Sequence, residues 1–225
     1  MFEQAWGRCR SNLIANLVAG SCVWITGAII CFFYYKGGYF TVLLDELGRI
    51  KKEHGFWYSA VATSIFGGVI PYSCLLFQKS IPQGKKVSWF VFFAVFWAIK
   101  GVEVDAFYRL QFFIFGGSQS VSVIFFKVLN DLFVYCVLWS APVTAIFYGW
   151  KDANFSWANV QEIRNFRKLL SESVFLLLST WIIWIPAVTI IYAMPANLQI
   201  PCFNLNLCFF VLVISCLIPK EGMAG

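Results

Sequence analysis

The stretch Asn12–Tyr35, NLIANLVAGSCVWITGAIICFFYY, runs for 24 residues without a charged side chain. About 20 helical residues cross the hydrocarbon core of a bilayer, so it reads as a membrane span. It is too long for a signal peptide's apolar region and lacks the small-residue cleavage site, so it is expected to be retained. Within it Ala15, Ala19 and Gly20, with Gly27 a heptad further on, form a small-residue stripe suited to a neighbouring helix. Lys36-Gly37-Gly38 ends it.

The rest of the chain follows the same pattern. Of its 225 residues 60% are hydrophobic and 12% charged, with mean hydropathy +0.74. Soluble domains carry about 25% charged residues, and 25 Phe with ten Trp exceed what a water-facing fold of this size can bury. The fold class expected is therefore all-α: a polytopic transmembrane helix bundle with five to six membrane segments. The formal charge of +6 lies between apolar runs rather than in one stripe, which speaks for membrane-surface loops and against nucleic acid.

Residues 39–55 combine Asp45, Glu46, Arg49, Lys51, Lys52 and Glu53 with apolar residues at 40, 43, 44, 47 and 50. That spacing suggests a short helix on the membrane surface; a solvated loop is the alternative. Phe56–Phe77 is the next span, with ridges Ala60/Ser64/Gly68 and Ser59/Thr63/Gly67 and a kink expected at Pro71. After the turn at 78–86, the helix from Val87 is expected to run through Lys100, Glu103, Asp105 and Arg109 to Phe115, with Gly116-Gly117-Ser118 as a break. Val121–Trp150, Val174–Ala193 and Cys202–Ile218 complete the apolar segments. With the N-terminus inside, ten Lys and Arg fall on the inner side and six on the outer, a mild bias. The organisation expected is an N-terminal span plus surface helix over 1–53, a helical domain over 54–218 and a polar tail over 219–225.

Charged groups inside such helices are the candidates for function, because a lone charge at the bilayer centre costs about 2.5–3.5 kcal/mol or more. Lys127 and Asp131 are four apart, so they share one helix face and are expected to pair or to face a hydrated cavity, with Asn130 and Tyr135 adding hydrogen bonds. Lys100/Glu103 and Asp105/Arg109 have the same helical spacing, with Tyr108 beside them. One intramembrane network of Glu103, Asp105, Lys127 and Asp131, lining a solute path, stands against ion pairs that only fix packing. Eight cysteines without a CxxC and a single histidine, His54, leave no metal or haem site, and no cofactor is expected. The absence of GxxxxGK, GxSxG, HExxH and GxGxxG points away from an enzyme.

The run Trp181-Ile-Ile-Trp184-Ile-Pro186, followed by Tyr192, Pro195, Asn204 and Ile214-Ser215, resembles the C-terminal signature of the Mpv-seventeen and PMP-twenty-two family. Members of that family sit in mitochondrial inner and peroxisomal membranes. Gly101-Val-Glu-Val-Asp105-Ala-Phe107-Tyr108 and Lys127-Val-Leu-Asn-Asp131-Leu132 resemble two further family motifs. Against the family pattern Pro186 comes one position late, and Val188, Ile191 and Gln199 replace Gln, Asn and Arg. The resemblance covers about His54 to Ile218. It implies a channel- or transporter-like protein for an unidentified small solute, in a mitochondrial inner membrane, with a peroxisomal or bacterial inner membrane as alternatives. Gly101, Trp181, Trp184, Pro186, Tyr192, Pro195 and Asn204 would then be signature packing positions. Trp181 and Trp184 read either as aromatic-belt anchors or as a stacking site. The rival to a channel is a non-catalytic accessory subunit packed laterally in a larger membrane complex. Expected partners are the lipid bilayer and either further copies of the chain or the subunits of such a complex.

Overall fold

Glycines mark the helix boundaries. The computed structural model describes residues 20–160, 165, 169, 181 and 183–217, with side chains as far as Phe209. Helix α1 (Gly20–Lys36) turns through 102° into α2 (Tyr39–His54) at Gly37 and Gly38, whose φ angles of 85° and 105° suit glycine alone. Gly55, at φ 53°, joins α2 to α3 (Phe56–Phe77). Helix α4 (Lys86–Phe115) ends at Gly116, φ 81°. Then come α5 (Val121–Asp152), α6 (Ile183–Ala193) and α7 (Ala196–Leu217). Among the described residues there is no strand.

Helices α3, α4 and α5 are long and apolar enough to cross a membrane, and the bent pair α1–α2 makes up to four. Only 22% of the apolar window of α3 and of α5, and 33% of that of α4, is buried within the bundle. Helices this apolar with this much surface outward need a lipid solvent. The chain is thus built as an all-helical membrane protein. The expected segment Val174–Ala193 lies partly outside the described residues. Ala15 and Ala19, the tail 219–225 and Ile214-Ser215 as side chains lie outside them too.

Small residues bring α3 and α4 together, as the two ridges predict. A Cβ on Gly101 would stand 2.2 Å from the Ser59 carbonyl oxygen, and one on Gly68 2.6 Å from that of Phe93. Ser64 donates to the Ala94 carbonyl at 2.8 Å. The helices run antiparallel, since Ser59 meets Asp105 while the Tyr72 hydroxyl reaches the Lys86 carbonyl. Helix α5 in turn runs antiparallel to α4, with Tyr135 beside Glu103 and Tyr148 beside Trp97. On the other flank Gly20 and Gly27 pack against Ile183 and Ile190 of α6, and Trp24 donates to the Ile183 carbonyl at 2.9 Å.

Two π-helical widenings, Ser64–Val69 and Asn130–Ser140, each end two residues before a proline, Pro71 and Pro142. Proline has no N–H for the carbonyl four residues back, here Gly67 and Leu138, and its ring crowds that turn. Both helices widen in the turns where that bond is missing.

Residues 39–54 form the expected helix, but it is not laid freely on the surface. Leu44, Gly48 and Lys51 are its buried face, and Gly48 meets Asn197 of α7. Leu43, counted on the apolar stripe, is exposed. One core cluster joins Leu44, Tyr108, Leu132, Ile191, Tyr192 and Leu198, so α2 shares a core with α4 to α7. A second, aromatic cluster of Tyr72, Phe92, Phe93 and Phe96 with Tyr148 fills the other end of the bundle.

Candidate functional site: three polar clusters between the helices

Asp105 accepts hydrogen bonds from three side chains, one each on α2, α3 and α4. It is 1% exposed, and Lys51 Nζ of α2 donates to its Oδ1 at 2.9 Å. Ser59 Oγ of α3 donates to Oδ2 at 2.7 Å. Arg109, one turn further along α4, donates through Nε at 3.0 Å and Nη2 at 3.3 Å. Its guanidinium also lies 4.2 Å from the centre of the Phe56 ring. The Asp105/Arg109 pair is the one predicted from spacing, while Lys51 comes from a helix 54 residues earlier.

Earlier on α4, Lys100 donates to Glu103 at 2.7 Å and to Ser140 Oγ of α5 at 3.1 Å. The Tyr135 hydroxyl donates to the same carboxylate. Phe107 stacks on the Tyr135 ring with centroids 4.1 Å apart, which fixes that hydroxyl. This is the second pair that spacing predicts.

The third cluster is centred on Asp131. Tyr192 of α6 donates to Oδ2 at 2.7 Å, and the Cys136 thiol faces Oδ1 at 3.5 Å. Gln111 Nε2 donates to the Tyr192 oxygen at 3.2 Å and to the Lys127 carbonyl at 2.9 Å. Gln111 Oε1 accepts from Asn130 at 3.0 Å. Gln111, wholly buried, is thus the hub between α4, α5 and α6.

Here the structure corrects two expectations. Lys127 and Asp131 do not pair: Lys127 Nζ donates to the Gly116 carbonyl at 2.7 Å instead. A helical lysine leans toward the N-terminus of its helix, and on that side lies the C-terminal end of α4 with its unpaired, partly negative carbonyls. The widened turn starting at Asn130 also breaks the regular spacing on which the pairing rested. Nor do Glu103, Asp105, Lys127 and Asp131 form one network. Each carboxylate is satisfied in its own cluster, and no ion pair joins two of these clusters among the described residues.

Tyr108 is buried with its ring 5.2 Å from that of Tyr192, between the Asp105 and Asp131 clusters. Of the signature positions, Tyr192 bonds Asp131, and Asn204 accepts from Thr63 at 2.9 Å. Gly101 is the α3–α4 contact. Trp181 packs on Phe133 with centroids 4.7 Å apart, and Trp184 stacks on Phe203. Both indoles therefore serve helix packing. Pro186 lies within α6, and Pro195 separates α6 from α7.

Sequence reasoning missed Lys51, Ser59, Gln111, Cys136 and Ser140. Gln111 had a signal: it continues the stripe Gly101, Val104, Asp105, Tyr108 by one more step of three. Lys51 falls three residues after Gly48 on the same face of α2. Neither spacing names the partner.

No family model, curated protein or solved structure matches this chain.

Proposed function

We infer that the chain is a channel- or transporter-like membrane protein that lets a small solute cross an organelle membrane. The observation that carries this is the polar seam between α4, α5 and α6. From Lys127 to Ser140 the inward groups of α5 extend over about 15–20 Å, the α-helical rise of about 1.5 Å per residue being shortened in the widened turns, which is about half or more of a hydrocarbon core of about 30 Å. Asn130, Asp131, Tyr135 and Ser140 lie along it, met by Gln111, Glu103 and Lys100 of α4. Polar groups at that depth are costly in lipid and are the default mark of a solute path.

The resemblance to the Mpv-seventeen and PMP-twenty-two family supports a mitochondrial inner membrane first, with a peroxisomal or bacterial inner membrane as alternatives. In this reading α1 and α7 add two crossings to α3, α4 and α5. The second reading, a non-catalytic accessory subunit, is favoured by the outer faces of α4 and α5. Phe113, Phe125, Phe126, Phe133 and Trp139 are exposed there and suit lateral association with another membrane protein.

Purified protein in planar bilayers tests the first reading. Wild type should conduct, and Asp131→Asn should change the conductance or its cation–anion selectivity, since it removes a buried charge of the seam. No conductance above protein-free bilayers, or an unchanged Asp131→Asn current, would count against a path. Co-migration with a large assembly in blue-native gels would favour the accessory subunit.

A further inference from the structure

A cavity of about 340 Å³ opens between α2, the C-terminal half of α4 and the start of α7. Its wall carries Lys51, Lys52 and Arg109 against a single carboxylate, Asp105. Three cations facing one anion leave two positive charges in excess. Asp105 already takes Lys51, Arg109 and Ser59, whereas Lys52 is exposed and forms no ion pair among the described residues. Of the nearby acids on α2, Glu46 and Glu53 share Arg49, which leaves one negative charge, and Asp45 accepts from the Tyr34 hydroxyl. None of the three lines the cavity, so the excess is not cancelled by a group in its wall.

The same wall includes Ala196 and Asn197, the first two residues of α7. At the start of this 22-residue helix the Leu198 N–H donates to the Pro195 carbonyl at 2.8 Å, while the N–H groups of Ala196 and Asn197 precede any acceptor within the helix, and the helix dipole adds partial positive charge there. The cavity wall thus brings together the first residues of a helix, a guanidinium and two ammonium groups around a space of small-molecule size. Trp57, at 80% exposure, stands at the start of α3 two residues after Gly55, which neighbours Arg109, as aromatic residues do at a headgroup layer.

We propose that this cavity binds a phosphate group, presented either by an anionic phospholipid or by a soluble phosphate compound. Arg109 supplies planar donors, Lys52 the uncompensated charge and the α7 N-terminus the backbone donors. The proposal is independent of solute transport: a protein that conducts nothing would bind phosphate in the same way.

The test uses the full chain purified in a neutral detergent. Its thermal unfolding midpoint is followed against inorganic phosphate, with chloride at matched ionic strength as the control. In a second arm the protein is exposed to phosphatidylcholine vesicles with and without phosphatidic acid. Saturable protection by phosphate identifies a soluble ligand, and protection by phosphatidic acid alone identifies a lipid headgroup; either supports the site. Lys52→Gln, on an exposed side chain, should weaken binding about fivefold, from about 1 kcal/mol per surface cation. Arg109→Gln, which leaves Asp105 its Lys51 and Ser59 bonds, should weaken it about tenfold. Protection by neither phosphate nor phosphatidic acid, or equal protection of both variants and wild type, would overturn the proposal.

Discussion

Removing the Asp105 charge tests whether the α2–α4 junction is held by electrostatics. Lys51 Nζ stands 2.9 Å from Asp105 Oδ1, with side chains 9% and 1% exposed. At an effective dielectric constant near 20 the gross attraction is about 6 kcal/mol, most of it offset by the cost of desolvating both ions. In Asp105→Asn, Lys51 stays buried without a counter-charge, an imbalance that costs about 3 kcal/mol. In Lys51→Met, the carboxylate keeps Arg109 and Ser59, so the loss should be nearer 1–2 kcal/mol. Arg109 is half-exposed and hydrated, so its share is small. The double variant removes both charges and should cost about 2 kcal/mol, well under the sum of the singles. Reversible unfolding of detergent-purified protein gives the cycle. If the two losses add to within about 0.5 kcal/mol, Lys51 and Asp105 are not coupled and the reasoning is refuted.

Gly101→Ala should destabilise the protein by about 1–3 kcal/mol through overpacking, because the new Cβ would stand 2.2 Å from the Ser59 carbonyl oxygen. The same unfolding assay checks it, and an alanine variant as stable as wild type would show that α3 and α4 are not in such close contact. Lys127→Met and Asp131→Asn should couple by less than about 1 kcal/mol, since Lys127 donates to the Gly116 carbonyl and Asp131 accepts from Tyr192, with the Tyr192 ring 5.9 Å from Lys127 Nζ as their shared contact. A coupling above about 1 kcal/mol would restore the ion pair that helical spacing suggests.

Much of the architecture is legible one segment at a time. The apolar run from Phe56 and the helix carried through its charges to Phe115 appear where hydropathy and periodicity put them, and so do the breaks at Gly37-Gly38 and Gly116. The ridges on α3 and the heptad pair Gly20 and Gly27 also face neighbours as their spacing implies. The pairs Lys100/Glu103 and Asp105/Arg109 lie within one turn of regular helix, where spacing alone decides contact. The same rule failed for Lys127 and Asp131, because the helix widens at Asn130 ahead of Pro142 and a carbonyl from another helix stood closer to the lysine's reach.

What the amino-acid order determined by itself is therefore local: apolar length, helical period, and the glycines that end or join helices. These follow from covalent geometry and from the preference of each segment for lipid or water. The tertiary structure alone decided that Lys51 meets Asp105, that Tyr192 meets Asp131 and that Gln111 ties three helices together. Which face of one helix meets which face of another depends on how closely Gly68 and Gly101 let the backbones approach and on the room Gly48 leaves for the Asn197 side chain. That approach, summed over the whole bundle, selects each polar partner.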